Sequence, residues 1–340
     1  MIKGFWAQLE KPIYALAPMA DVTDDAFRRM FALYGKPAVM FTEFVSTDGL
    51  CSVGRKNLMR ELQFSEDQRP IVAQIWGNRP ENFYESAKLL SQLGFDGIDI
   101  NMGCPQRKEM EQGTCAALIN HPNLAVEIIN ATKKGAGALP VSVKTRLGVK
   151  SVETETWIGT LLQTDVAAIT IHARTAREMS KVPARWKEIA TAVQLRNRMI
   201  SQTLILGNGD VKSLADADDR LRQTAVDGIM IGRGAFGNPW LFTSSREVSV
   251  REKLEVMVEH AHLFEKVFLP QKNFAIMRKH FKAYCAGFPG ASELRVKLMT
   301  AEDSGEVERT VEEFVGQNSP QPSLMDSTSS PHVLREGEML

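Results

Sequence analysis

Cys104 stands between Gly103 and Pro105 in the run Asn101-Met102-Gly103-Cys104-Pro105. A free thiol has an ordinary pKa of about 8.5 and is mostly protonated at neutral pH. That suits a proton donor better than a nucleophile, which needs a neighbouring base. The competing reading is a buried structural cysteine, a common fate for this residue. Cys115 is the rival thiol, but Gly113-Thr114-Cys115-Ala116-Ala117-Leu118 looks like a helix start built from small residues. Cys51 and Cys285 are the other cysteines, and no Cys-x-x-Cys pair occurs. Neither a zinc site nor a disulfide framework is expected, and no metal.

Other chemically capable residues recur where short apolar runs end. Ala17-Pro18-Met19-Ala20 closes the first run, and Gln74 lies in the third, ahead of Gly77-Asn78. Lys144 and Arg146 close the fifth, and His172 and Arg174 the sixth. Asn208-Gly209-Asp210 and Gly232-Arg233-Gly234 close the last two. Any one of these is most often a turn or a cap. Six polar ends on one set of strands point to a shared site.

The elements that must position them are eight in number. The runs are 13–19, 39–45, 71–76, 97–103, 141–146, 168–174, 204–210 and 228–234. Helical periodicity appears between them at 80–93, 121–134, 152–163 and 186–199, with Pro80 and Pro122 at first-turn positions. Alternating strands and helices argue for a parallel sheet. Eight such units fit a (β/α)8 TIM barrel, whose typical length is about 250 residues. A doubly wound open sheet is the alternative, but no Gly-x-Gly-x-x-Gly follows the first strand. In a barrel the polar ends would gather at the C-terminal mouth, where active sites form.

After Phe242 the pattern turns helical, at 251–268, 271–286, 292–298 and 307–315. The expected division is a barrel over 1–244, a small all-helical domain over 245–316, and a disordered tail over 317–340. The tail is rich in Ser, Pro and Gln and lacks periodicity.

Glycine-bearing turns after the last two strands are frequent phosphate sites in such barrels. Gly209, Gly232 and Arg233 would suit a phosphate, with Lys144 and His172 reaching the ring system of the same cofactor. That layout fits a flavin mononucleotide.

Composition sets outer bounds. Of 340 residues, 44% are hydrophobic and 24% charged, an ordinary globular balance. No apolar run approaches the roughly 18 residues needed to span a bilayer. The start lacks the layout of a signal peptide, so a cytoplasmic protein is expected. Lys+Arg and Asp+Glu each count 41, so there is no global basic excess for nucleic acid. Locally there is one. Lys266, Lys272, Arg278, Lys279, Lys282, Arg295 and Lys297 face a single acid, Glu293, between 266 and 298. Such an excess favours phosphate contacts. The acids from Glu302 to Glu313 would then face away from RNA.

At these motifs the chain resembles the tRNA-dihydrouridine synthase family. The match runs through Ala17-Pro18-Met19, Gln74, Asn101-Met102-Gly103-Cys104-Pro105, Lys144-Thr145-Arg146, Ile171-His172-Ala173-Arg174 and Gly207-Asn208-Gly209-Asp210. It continues through Ile231-Gly232-Arg233-Gly234-Ala235-Phe236-Gly237-Asn238-Pro239-Trp240 and Met277-Arg278-Lys279-His280, and covers roughly 12–300. The resemblance implies an FMN enzyme, driven by NADPH (or NADH), that reduces the C5–C6 bond of a uridine in tRNA. It implies hydride delivery to C6 and protonation of C5 by Cys104. Pro18, Met19, Gln74, Lys144, His172, Asn208, Gly209, Asp210, Gly232 and Arg233 would bind the flavin. Asn101, Arg146, Arg174, Arg278 and Lys279 would bind the substrate.

Two positions depart from the family pattern. Glu109 follows Lys108 where a small apolar residue is usual, and Cys115 stands where Gly or Ala is usual. A base in folded RNA must be extruded to reach the mouth, at a few kcal/mol. A flavin barrel acting on a free pyrimidine is one alternative, though it would have no need of basic helices. An RNA-binding module without catalysis is the other, and Cys104, Lys144 and His172 speak against it. A monomer is expected.

Overall fold

The computed structural model describes residues 4–243 and 247–318. Eight strands form: β1 (Ile13–Leu16), β2 (Met40–Ser46), β3 (Ile71–Trp76), β4 (Gly97–Met102), β5 (Val141–Arg146), β6 (Ala168–His172), β7 (Leu204–Asn208) and β8 (Gly228–Ile231). All neighbours pair in parallel, in the order β1-β8-β7-β6-β5-β4-β3-β2. A parallel bridge between Ala15 and Val39 closes the ring. Two backbone bonds reinforce it, Leu16 N to Val39 O at 3.1 Å and Ala38 N to Tyr14 O at 2.9 Å. The fold is therefore the expected (β/α)8 barrel, and the open sheet is excluded.

Buried on both faces, the strands read as nearly unbroken apolar runs. Several end before their runs do. β1 stops at Leu16, β6 at His172, β7 at Asn208 and β8 at Ile231. The remaining residues leave the ladder and become the loops of the mouth.

The surrounding helices are α1 (Asp25–Tyr34), α2 (Pro80–Gln92), α3 (Pro122–Ala136), α4 (Thr154–Gln163), α5 (Trp186–Arg198) and α6 (Leu214–Thr224). Helices α1 and α6 are not among the expected helical segments. Helix α1 buries the charged Asp25 and Arg28 beside Phe27 and Phe31. Helix α6 buries only Ala217 and Thr224.

Four more helices follow: α7 (Val250–Phe268), α8 (Arg278–Tyr284), α9 (Ala291–Leu298) and α10 (Ser304–Asn318). The expected helix over 271–286 starts late, because Phe274–Met277 forms a 3-10 turn. Residues 317 and 318, assigned to the tail, extend α10. Residues 319–340 lie outside the described residues, as does the expected boundary at 244–246. The apolar core of these helices includes Met257, Phe264, Phe281 and Leu298, and it takes in Ala26 and Met30 of α1 and Trp240. The helical part thus shares one core with a barrel helix.

Polar links cross the same junction. Lys272 Nζ donates to Glu43 Oε2 at 3.1 Å and to Glu61 Oε2 at 2.9 Å. Lys272 is buried, so it leaves the set of basic residues expected to meet phosphate. Its single positive charge lies between the two carboxyl groups, and burial with Glu61 pushes Glu43 up to about 8. Lys279 Nζ donates to the Asp21 carbonyl. His260 and His280 are fully buried there, their rings 4.8 Å apart. Among the described residues, no helix is long and apolar enough to cross a membrane.

Candidate active site

A cavity of about 750 Å³ opens at the C-terminal mouth of the barrel. All the expected cofactor ligands except Gln74 line it: Pro18, Met19, Lys144, His172, Asn208, Gly209, Asp210, Gly232 and Arg233. The volume lies in the range that takes a cofactor-sized ligand. Gly209 has φ +129°, and a Cβ there would lie 3.2 Å from the His172 ring, so the turn after β7 needs glycine.

Two cationic residues of the wall come from the loops after the last two strands. Arg233 is largely exposed, and its Nη2 donates to Asp210 Oδ1 at 3.0 Å. Lys212 and Ser180 also line the cavity. Neither was singled out by sequence. Lys212 sits two residues past Asp210 with no motif of its own. Ser180 lies in the long β6–α5 loop, where only the tertiary path brings it back over the mouth.

Lys144 and His172 stand on strands β5 and β6. Lys144 Nζ donates to Asn208 Oδ1 at 3.3 Å, and Asn208 Nδ2 donates to the Met230 carbonyl at 2.8 Å. Burial, then the Arg146 charge, pull the Lys144 ammonium down to about 8. His172 is held neutral by burial and the surrounding cations. Its Nε2 lies 3.0 Å from Arg174 Nη1. A guanidinium only donates, so Nε2 accepts and the ring proton sits on Nδ1.

Arg174 is 2% exposed and stands behind His172 rather than in the open cavity. Its Nε donates to the Val182 carbonyl at 2.6 Å, and its Nη2 pairs with Asp210. Asp210 also accepts from Ala184 N at 2.9 Å. This carboxylate therefore ties the β6–α5 loop to Arg174 and Arg233.

Cys104 lies beside the cavity, on the arc formed by β4 and β5. Asn101 is in register with Lys144 across those strands. A chain of hydrogen bonds sets the thiol's backbone. Gln74 Nε2 donates to Asp99 Oδ2 at 2.7 Å, and Asn101 Nδ2 donates to Gln74 Oε1 at 3.0 Å. Asn101 Oδ1 then accepts from Gly103 N and Cys104 N, both at 3.0 Å. Gln74 is fully buried, which explains why it is absent from the cavity wall. Arg146 completes the clamp. Its Nε donates to the Gly103 carbonyl at 2.7 Å, and its Nη1 donates to the carbonyls of Thr175 and Met179 at 3.1 and 2.9 Å. Like Arg174, it is buried and holds backbone.

The Cys104 thiol departs from the ordinary value expected for it. A hydrogen bond from the Cys115 thiol draws it down to about 7 against the opposing effect of burial. Cys115 is pushed up, by its interaction with Cys104 and then by burial.

Of the expected substrate residues in the helical part, Lys279 reaches the Asp21 carbonyl in the loop after Met19 and so touches the rim. Arg278 is half-buried, and neither residue lines the cavity.

A family model described as "Dihydrouridine synthase (Dus)" matches residues 15–319. A "Probable tRNA-dihydrouridine synthase" of Staphylococcus aureus (strain MRSA252) is 41% identical over 321 residues, covering 93% of this chain and 97% of that relative. The "Probable tRNA-dihydrouridine synthase 2" of Bacillus subtilis (strain 168) is 42% identical over 318 residues, covering 92% and 97%. Among solved structures, morphinone reductase in complex with tetrahydroNAD matches with a TM-score of 0.47 at 12% identity, covering 67% of this chain and 84% of that one.

Proposed function

The chain belongs to the dihydrouridine synthase family, and from that premise we propose that it reduces the C5–C6 bond of a uridine in tRNA, using flavin mononucleotide and NADPH, with Cys104 as the proton donor. The observation that carries this reading is the adjacency of two features. A cofactor-sized cavity is lined by Arg233 and Lys212 together with Lys144 and His172. Immediately next to it, four buried polar groups hold a partly exposed thiol in place.

The donor set fits a flavin mononucleotide. Arg233 and Lys212 present charge where a phosphate would sit, and the turn at Gly209 brings backbone close. Lys144 and neutral His172 would face the ring, one as a cation and one as an Nδ1–H donor. When bound and reduced, a flavin supplies hydride, here to C6 of the uracil. Cys104 gives its proton to C5 and is left as a thiolate. The Cys115 thiol and the nearby Arg146 charge stabilise that anion. Asn101 keeps the thiol in place by holding the turn at Gly103 and Cys104.

The tRNA body would lie against the helical part, where Lys282 and Lys297 are exposed. Lys279 anchors that part to the cavity rim and would set the distance between tRNA body and extruded base. The protein would act as a cytoplasmic monomer without a metal.

The test is nucleoside mass spectrometry on tRNA from a strain lacking the gene, treated with purified protein, FMN and NADPH. Dihydrouridine forms with the wild-type protein. Cys104→Ala binds flavin with unchanged visible absorbance but forms none. A protein that takes up no flavin, or equal product from Cys104→Ala, overturns the reading. Positional mapping of the product identifies the uridine.

A further inference from the structure

Cys115 has a backbone φ of +54°, a left-handed conformation that costs a residue with a Cβ about 1–2 kcal/mol. Its side chain is completely buried. Ala116 N donates to the Cys104 carbonyl at 3.3 Å, which pins the turn at 115 against the segment carrying Cys104. That backbone bond sets the two cysteines side by side, and each thiol acts on the other's charge. Glu109 completes the group. Its Oε2 is buried with no hydrogen-bond partner among the described residues, and its charge acts on both sulfurs. Thr114 Oγ1 and Thr114 N both donate to the Glu109 carbonyl, at 2.9 and 3.0 Å, so this arrangement is tied in place. A thiol that is partly exposed and a buried second thiol beside it make up the parts of a peroxide-reactive dithiol, with the Glu109 charge in the same pocket.

We propose that Cys104 and Cys115 are an oxidative modification site, at which a hydroperoxide converts the pair to an intramolecular disulfide and stops the enzyme reversibly. In the first step the Cys104 thiolate attacks the distal oxygen of ROOH. The O–O bond breaks, ROH leaves with a proton, and Cys104 becomes a sulfenic acid. In the second step Cys115 sulfur attacks the Cys104 sulfur and the S–O bond breaks. The Cys115 proton joins the departing hydroxide, which leaves as water. Together two thiols lose two electrons and two protons, and one hydroperoxide is reduced to alcohol and water. Cys115 needs no solvent access, because its attack is on the sulfur already beside it. The thiolate fraction of an accessible cysteine governs such oxidation, and a resolving partner intercepts the sulfenic acid before it reaches the irreversible sulfinic state. The disulfide removes the proton donor, and a small-molecule dithiol restores it.

The inference rests on the reading of Cys104 as the proton donor only for its effect on activity. The chemistry at sulfur is tested separately. Full-length protein is exposed to a few equivalents of hydrogen peroxide, alkylated, digested with trypsin and mapped by mass spectrometry. Arg107 and Lys108 lie between the two cysteines, so trypsin separates their peptides unless a disulfide joins them. The expected wild-type product is that cross-link, two hydrogens lighter than the reduced pair and reversed by dithiothreitol. At a pH high enough that Cys104 is a thiolate in every protein, Cys115→Gly, which relaxes at a positive φ, and Cys115→Ala should instead accumulate sulfinic acid at Cys104, at least tenfold above wild type. The exposed Cys51 should remain alkylatable throughout. The proposal fails if wild-type protein shows no Cys104–Cys115 cross-link, or if both Cys115 variants resist sulfinic oxidation as well as wild type. Cross-linking without any dihydrouridine activity would leave this inference standing and sink the proposed function instead.

Discussion

Arg146 Nε donates to the carbonyl of Gly103 at 2.7 Å, one residue before the thiol of Cys104. The same guanidinium holds the carbonyls of Thr175 and Met179. One buried side chain on β5 therefore joins the turn after β4 to the loop after β6. Two walls of the site share a single fastener.

Arg146→Lys would keep the charge but lose the planar fork that serves three carbonyls at once. The thiol would shift by a fraction of an ångström to an ångström. We expect kcat for dihydrouridine formation to fall roughly 100-fold, with flavin affinity changed little. Single-turnover kinetics and flavin titration check this. An unchanged kcat would mean that the clamp does not set the thiol.

Asn101→Ala would strand Gly103 N, Cys104 N and the Gln74 carbonyl oxygen without partners. Each buried orphan costs about 1–3 kcal/mol. Thermal unfolding should show a drop of several degrees together with a loss of activity. Asn101→Asp should keep the two backbone bonds and recover part of the stability.

The acid form of Cys104 is the one that donates. Its thiol is drawn down to about 7, so the protonated fraction falls as pH rises through that value, and kcat/KM should fall with it. Cys115→Ala removes the main cause of the lowering, and burial then acts unopposed by it. The alkaline limb should move up by about one unit or more. The rate of iodoacetamide alkylation of Cys104 against pH gives the same answer without substrate.

His260 and His280 are buried without hydrogen-bond partners among the described residues, between the barrel and the helical part. Burial lowers His260 from 6.5 to about 3 and lowers His280 in the same direction. The unfolded chain binds protons that the folded chain refuses, so stability is full above pH 6.5 and is lost as pH falls towards 3. The loss should approach 1.4 kcal/mol per histidine for each unit below 6.5. His260→Leu should flatten this slope in denaturant titrations at pH 5 and pH 7. An equal slope in the variant would show that other groups carry the acid sensitivity.

Lys272→Met would leave Glu43 and Glu61 facing each other without their cation. Removing one partner of such a buried group costs roughly 3–5 kcal/mol. Burial and Glu61 already push Glu43 up to about 8 with the lysine present. Without the lysine, protonation is the only relief left. The destabilisation should therefore be larger at pH 8 than at pH 5, and melting curves at the two pH values check the sign.

Much of the barrel was legible because its signals are local. Val141–Arg146 and Ile71–Trp76 read as strands in their own few residues, and Pro80 and Pro122 mark helix starts. The glycine turns after β7 and β8 announce a site for the same reason. What was not legible depends on who faces whom. Lys272 looks like any other basic residue in its stretch until the fold sets it between Glu43 and Glu61. Gln74 and Arg174 are polar residues on or just past strands like the cavity ligands, yet both are turned inward to hold other groups. Lys212 and Ser180 reach the cavity through loop paths that no periodicity encodes.

The sequence by itself determined that eight strands would alternate with helices, that polar residues would crowd one end of them, and that Cys104 would stand at that end. Backbone propensity, turn chemistry and apolar period act within a few residues, so they are readable along the chain. Only the tertiary structure decided the state of that cysteine. Cys115 is eleven positions away and looked like part of a small-residue helix start. Folding buries it beside Cys104, with the Glu109 charge close by, in a pocket where the charge of each thiol affects the other. Hydrogen bonding and desolvation act through space at a few ångströms, and the order of residues along the chain does not record that distance.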